Sequence, residues 1–475
     1  MDTSSADLGA LSPSWAGTPV AAATGDAALV QALLDVEAAW VAAQVPVGLA
    51  VPDDAEAVAR VCHHSRVDLD SVVARTPDGA NVLIPLLGDL RSLVSTEAGH
   101  AVAALHRGAT SQDIIDTALM LLLRRAGAVV LEDLAAAADA LAALASAHRA
   151  DVGIARSLTQ HALPITLGHR FARWLAAVDA ARTQLEQQLE LAPVQFGGAA
   201  GTLASLVDAL RRAGDADPER SAVALRAELA RRLELADAPG GNAWHTRRAP
   251  LTRIAAALAE AVAAAGKIAA DVLILARPEV GELAEPHEAG RGGSSAMPHK
   301  RNPVLSVEIK DAALAAPAQL ATLFLAAGQA VDERPDGAWH AEWQALRTLL
   351  RLTGGASARL RTLAEGLQVF PERSREVAGL FGDLVVSERL SATLAPELGG
   401  KAAVQELVNR SLDSGTPLRA LLLDALVAAG RPADEAEARL DELLDPANYL
   451  GVAGTEVDAV LARHAALTDT TDPRA

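Results

Sequence analysis

The chain has one cysteine, Cys62, among 475 residues. That excludes an internal disulfide and a cysteine-built metal cluster, and it fits a reducing compartment, so a cytoplasmic protein is expected. Aromatic residues make up 3% of the chain, with a single tyrosine, although apolar residues as a whole reach 51%. Alanine, leucine and valine must therefore fill the core. Such side chains suit closely approaching helices and suit β-sandwiches poorly, where branched and aromatic residues dominate. No segment shows sustained strand-like alternation, and no internal repeat recurs. Met1–Asp7 has no basic region leading into an apolar run, so no secretory leader is expected. His-Glu-x-x-His, Gly-x-Ser-x-Gly and a phosphate-binding glycine loop are all missing. Asp113 and Asp116 lie one helical turn apart, but a metal needs more convergent ligands. No metal and no cofactor are expected, which leaves chemistry by protons and hydrogen bonds. Positive charge is also scarce, with a formal net charge of −18. This argues against nucleic acid and anionic membranes as partners.

What is present is helical. Ala118–Ala150, Pro164–Leu191, Pro250–Arg277, Pro303–Ala330 and Asp336–Thr353 run long with few breakers. Each exceeds the mean globular helix of about 11–12 residues, and such helices need one another's apolar faces. Pro46, Pro52, Pro77 and Pro85 break up the first hundred residues, and Pro371, Pro396, Pro417 and Pro432 punctuate the chain after Gly354-Gly355. The expected fold is all-α: an N-terminal helical domain over 1–109, a central long-helix bundle over 110–360 and a C-terminal helical domain over 361–475. Residues 466–475 read as a frayed tail. Ala312–Val331 carries no charge for 20 residues, long enough to span a bilayer. Pro317, Gln319, Gly328 and Gln329 interrupt it, so a helix buried inside an oligomer is the expectation.

Residues 292–303 read Gly-Gly-Ser-Ser-Ala-Met-Pro-His-Lys-Arg-Asn-Pro. No Asp or Glu occurs between Glu288 and Glu308, whereas Arg291, Lys300 and Arg301 all lie there. In an acidic chain this is a cationic island, suited to an anionic substrate beneath a closing loop. The plain alternative is a flexible basic loop between helices. Two further segments stand out: His-Arg-Gly-Ala-Thr-Ser-Gln-Asp-Ile-Ile-Asp-Thr at 106–117 and Leu-Thr-Gln-His-Ala-Leu-Pro-Ile-Thr-Leu-Gly at 158–168. Thr110 and Ser111 open a long helix, where N-capping and anion binding are compatible roles. His161 precedes a run that opens at Pro164, and histidine is the natural proton donor near neutral pH. A capping or core histidine is the alternative reading.

The three segments, in this order and at these separations, resemble the signatures of the fumarase/aspartase superfamily, and the resemblance spans about residues 25–440. It implies a homotetramer whose central helices form a shared core, with each active site built from three subunits. It implies Ser294 as the base, with Ser295 as the alternative base or a carboxylate ligand, and His161 as the acid or part of an acid relay. A serine acts as a base only when its alkoxide is strongly stabilised, and a cationic loop with free amides supplies that. By the same resemblance Thr110, Ser111, Gln112, Lys300, Asn302, Gln195, His106 and Arg248 bind substrate. Arg334 is placed like a carboxylate clamp, against the alternative of an ion pair with Asp332, Glu333 or Asp336. Within the superfamily the segments look most like bacterial 3-carboxy-cis,cis-muconate cycloisomerases, which implies a small tricarboxylate substrate in protocatechuate degradation. Adenylosuccinate lyase, or another fumarate-releasing lyase, is the competing reading. Trp339 is expected to crowd a purine pocket. An inactive, crystallin-like structural protein is the third. Arg107 and Ala249 depart from the usual aromatic and aspartate at their positions.

Overall fold

The computed structural model describes residues 9–294 and 296–469. The fold is all-α, as the composition requires. The long helices are α5 (Ser111–Ala147), α6 (Leu167–Glu190), α7 (Ala249–Leu275), α8 (Val304–Gly328) and α9 (Gly337–Gly366), after the shorter α1 (Asp26–Ala43), α2 (Pro52–Val61), α3 (Leu69–Gly79) and α4 (Leu83–Ala98). Contacts group the chain into two compact units. One comprises Met1–Ala135, Ala180–Gly266 and Glu308–Leu360; the other comprises Ala136–Asp179, Lys267–Val307 and Arg361–Ala475. This grouping cuts across a three-part division in chain order. The reason is helix length: the 37 residues of α5 extend roughly 55 Å at 1.5 Å per residue, more than one core can cover.

In the first unit Thr353 on α9 donates to the Leu258 carbonyl of α7 at 3.3 Å. Arg359 on α9 pairs with Glu308 on α8. The expected end of α9 near Thr353 is overturned, since the helix continues to Gly366. Gly354 and Gly355 do not break it. Ser14 and Val20 lie against them so closely that any Cβ there would overlap the Ser14 carbonyl or the Val20 side chain. In the second unit the Trp174 indole of α6 donates to Asp271 of α7 at 2.9 Å.

A second correction concerns Pro164, expected to open a helix. It lies instead in β2 (Gln160–Thr166), which pairs antiparallel with β1 (Val152–Ser157), and α6 begins at Leu167. The register shifts between Ile154 and Arg156. Proline is tolerated in such a ribbon because both strands are edges and a bulge needs no ladder donor. The ribbon is seated through Ile154, which is buried with Val386, Leu390, Leu394 and Leu422 of the C-terminal helices. The frayed tail expected from 466 is helical in its first part, since α10 (Ala453–Asp469) runs to Asp469; 470–475 lie outside the described residues.

Candidate active site

In the first unit, one buried carboxylate gathers three sequence-distant segments. Asp113 sits in the first turn of α5, and its Oδ2 accepts the Thr110 amide at 2.9 Å. This is half of a capping box, a spacing legible in Thr-x-x-Asp. Asp113 also accepts the amides of Gly197 and Gly198 at 2.8 and 2.9 Å and the His245 Nε2–H at 2.7 Å. With four donors around it and no solvent contact, Asp113 fixes where Thr110 and Ser111 stand. Both remain partly accessible at the helix N-terminus.

Three residues expected to touch substrate are in the core instead. Gln112 is fully buried, donating to the His245 carbonyl at 2.9 Å and to Asp116 at 3.2 Å. Gln195 is fully buried, and its Oε1 accepts the Trp244 amide at 2.8 Å. Arg248 is held between two carboxylates. It donates to Asp116 at 2.7 and 3.0 Å and to Glu342 at 2.6, 3.0 and 3.1 Å, while stacking over Trp244 at 4.8 Å. Burial opposes its charge, but the two carboxylates outweigh that and raise its basicity further. Every strong donor of Arg248 is committed, so it shapes the segment and leaves nothing to offer a ligand. Trp339 is also core: it donates to Asp116 at 2.9 Å and is buried. It does not crowd an open pocket, because its indole is drawn into the Asp116–Arg248 network.

His106 has a left-handed backbone (φ +54°) and lies just before this segment. Its Nδ1 meets the buried Glu37 at 2.7 Å and its amide donates to the same carboxylate at 3.0 Å. Arg107, one of the two departures, turns to the Gln44 side chain and the Leu49 carbonyl. Burial lowers its basicity. Ala249, the other, is exposed on the first turn of α7. Arg334 precedes α9, and no carboxylate pairs with it among the described residues, so the expected alternative partners Asp332, Glu333 and Asp336 do not engage it. Its Nε is buried without an acceptor.

The second unit holds His161 and the 292–303 loop. His161 lies on β2, opposite Arg156. Its ring meets Phe381 edge-on at 5.3 Å, and its Nδ1 is buried without a partner. Burial pushes its basicity below the ordinary value of 6.5; the Arg156 charge adds to this and Glu282 opposes it. Glu282 is fully buried and receives Arg156 and Arg170. The hairpin turn before His161 is Leu158-Thr159, with φ +49° and +71°. Two left-handed residues make the turn that matches strand twist, usually built from Asn-Gly. Here neither is glycine, and Leu158 is 94% exposed.

The loop at 292–303 closes on itself. The Asn302 amide and side chain both donate to the Gly292 carbonyl, at 2.8 and 3.2 Å. Gly292 (φ +69°) tolerates this because a Cβ would lie 2.5 Å from the Asn302 oxygen. Ser294 Oγ accepts the amides of Met297 and Ala296 at 3.1 and 3.4 Å. Ser295 lies outside the described residues. The cationic island is smaller than its composition suggests, since Arg291 is paired with Glu288. Lys300 and Arg301 remain exposed, with no ion pair among the described residues. Glu285 caps the next helix, accepting the amides of Leu305 and Ser306 at 3.1 and 2.7 Å. Phe381, Glu282, Glu37 and the Leu158-Thr159 turn escaped sequence reasoning, and only Asp113 carried a local signal.

Among the described residues no group of His, Cys, Asp and Glu is placed to hold a metal ion. A family described as lyase matches residues 29–315. The chain is 44% identical to nitrosuccinate lyase of Streptomyces davaonensis, over 95% of this chain and 94% of that one. It is 39% identical to 3-carboxy-cis,cis-muconate cycloisomerase of Pseudomonas aeruginosa, over 94% and 95%. The crystal structure of the 3-carboxy-cis,cis-muconate lactonizing enzyme from Pseudomonas putida superposes with a TM-score of 0.82 at 34% identity, covering 94% of this chain and 96% of that one. Match, coverage and fold agree, and the chain belongs to the lyase family of the fumarase/aspartase superfamily.

Proposed function

We propose that the chain is a cofactor-independent cycloisomerase that closes 3-carboxy-cis,cis-muconate to 4-carboxymuconolactone. One substrate carboxylate adds across its own double bond, and a proton is delivered to the carbon alpha to another carboxylate. The trianion takes up one proton and leaves as a dianion. The difficult species is an aci-carboxylate, so the site must place donors and cations at that carboxylate. The observation that carries this reading is the Gly292–Asn302 loop. Ser294 Oγ already accepts two backbone amides there, and exposed Lys300 and Arg301 follow without carboxylate partners. In that setting a serine oxygen is stabilised as an anion and serves as the carbon base in the reverse direction. His161, held below its ordinary basicity, relays that same proton between the serine and solvent. Arg334 and Lys300 bind carboxylates, Thr110 and Ser111 present the helix N-terminus, and Asn302 holds the loop shut.

The reading includes a cytoplasmic homotetramer that completes each site from several copies. Two helices, Asp26–Val47 and Val304–Gly328, are long and apolar enough to cross a membrane, but α8 leaves Leu314 and Leu325 exposed at 74% and 70% in the single chain. That face, on a helix whose first turns carry Glu308, Lys310 and Asp311, is the proposed seam between copies.

A second reading rests on the 44% identity to nitrosuccinate lyase. There the same base removes a proton beside a carboxylate, and nitrite leaves from the neighbouring carbon to give fumarate. The purified chain incubated separately with 3-carboxymuconate, nitrosuccinate, adenylosuccinate and argininosuccinate decides between them. Loss of the muconate absorbance with lactone formation supports the first reading. Nitrite release with no lactonisation replaces it with the second.

A further inference from the structure

A partly open, apolar space lies apart from every residue assigned a role above. It has a volume of about 360 Å³ and is formed within the first unit between α1, α3, α5 and α9. Leu29, Val73, Leu119, Leu122, Leu346 and Leu350 are among the residues that line it. The volume falls in the range of small-molecule pockets, about 300–1,000 Å³. Leucine-lined cavities even smaller than this, about 150 Å³, take up aromatic molecules from water.

Three observations define what would fit. The charged groups in its wall are Asp26 and Arg347, and they pair with each other at 2.5 Å. No uncompensated cation is left to recruit a polycarboxylate. Trp343 forms part of the wall, and its indole N–H has no acceptor and no accessible surface, so it sits behind the wall and an acceptor reaches it only when the wall shifts. An orphaned buried donor is costly, and an arriving acceptor removes that penalty. One wall, α3, is thinly anchored: Val72 is its only buried residue, and Val73 is about half exposed. A helix held so lightly can move to admit a ligand at small cost.

We propose that this cavity binds a compact, neutral, largely hydrocarbon molecule carrying one hydrogen-bond acceptor, which receives the Trp343 indole N–H. The site is chemically distinct from one built for a carboxylate-rich substrate. A ligand there would contact the ring of Trp343, which meets Trp339 at 4.8 Å, and Trp339 in turn donates to Asp116.

The test uses the full chain and two probes of one frame, indane and 1-indanone, followed by calorimetry. Both are expected to bind saturably, with the ketone favoured by about 2–10-fold, the worth of one hydrogen bond. Trp343→Phe keeps a ring and removes the N–H, so the two probes should then bind equally. Leu119→Trp and Leu122→Phe fill the space from adjacent turns of α5, and whichever folds as wild type should lose both probes. Absence of binding to the wild-type chain up to the solubility of the probes overturns the proposal. So does unchanged binding in a folded, cavity-filled variant. Equal binding of indane and indanone by the wild type overturns the role given to Trp343.

Discussion

Arg248→Met separates a structural arginine from a substrate-binding one. The Arg248 side chain has no solvent contact and pairs with Asp116 and Glu342, themselves buried. Removing one partner of a buried ion pair costs about 3–5 kcal/mol, because the remaining charge is stranded. Asp116 keeps the Trp339 and Gln112 donors, whereas every hydrogen bond described for Glu342 comes from Arg248. The expected loss therefore comes chiefly from Glu342. It is a large share of a typical folding stability of about 5–15 kcal/mol. The pH dependence has a definite sign. Burial already raises the Glu342 carboxyl above its ordinary range against the pull of Arg248, and without Arg248 it rises further. A group whose folded value is raised contributes stability below its unfolded value and loses it as pH rises through the folded one. The Arg248→Met deficit should thus be small near pH 5 and full by pH 8. Adding Glu342→Gln should abolish the difference between the two pH values. Urea denaturation followed by far-ultraviolet circular dichroism measures all three chains. A wild-type midpoint at pH 8, accompanied by a raised KM, would refute the structural assignment and return Arg248 to the substrate.

Ser294→Ala should lower kcat by at least about 10², the low end for a positioned proton-transfer group, with an unchanged circular dichroism spectrum. Because His161 is held below 6.5, a step that needs its protonated ring should weaken as pH rises through that lowered value. His161→Asn should erase that limb of the kcat/KM profile, and a profile identical to wild type would remove His161 from the proton path. Lys300→Met and Arg334→Met should each raise KM by roughly 10–150-fold, the loss of one charge-assisted hydrogen bond, while moderate salt leaves wild-type kcat/KM flat. Leu325→Glu places a charge on the exposed apolar face of α8, and light scattering should fall from about four times 48.9 kDa to the single-chain mass. A wild-type chain that is monomeric and active would remove the shared-site reading.

The helical class was legible because it rests on composition and breaker spacing, which act locally. Pro250–Arg277 was expected and Ala249–Leu275 is found; Pro303–Ala330 was expected and Val304–Gly328 is found. The errors fall where tertiary packing overrides the local signal. Gly354-Gly355 reads as a break, yet the approach of Ser14 and Val20 makes glycine the residue that keeps the helix intact. Pro164 reads as a helix start, yet a bulged two-stranded ribbon accepts it. The turn that aims His161 is built from Leu158-Thr159, with no Asn-Gly to announce it.

The site shows the same division more sharply. Residue types revealed which segments matter, but not which side chains face outward. Gln112 shares its segment with Thr110 and Ser111, yet the first turn of α5 buries Gln112 and leaves the other two partly accessible. Charge was misjudged for a related reason. Arg291, Lys300 and Arg301 count equally in a sequence, but only a structure shows Arg291 neutralised by Glu288 while Arg334, beside three acidic neighbours, has no ion pair among the described residues. A cation's value to an anionic substrate depends on its lacking a nearer carboxylate. On that criterion Lys300, Arg301 and Arg334 are the cations we propose to hold a polycarboxylate, and Arg248, committed to Asp116 and Glu342, is not.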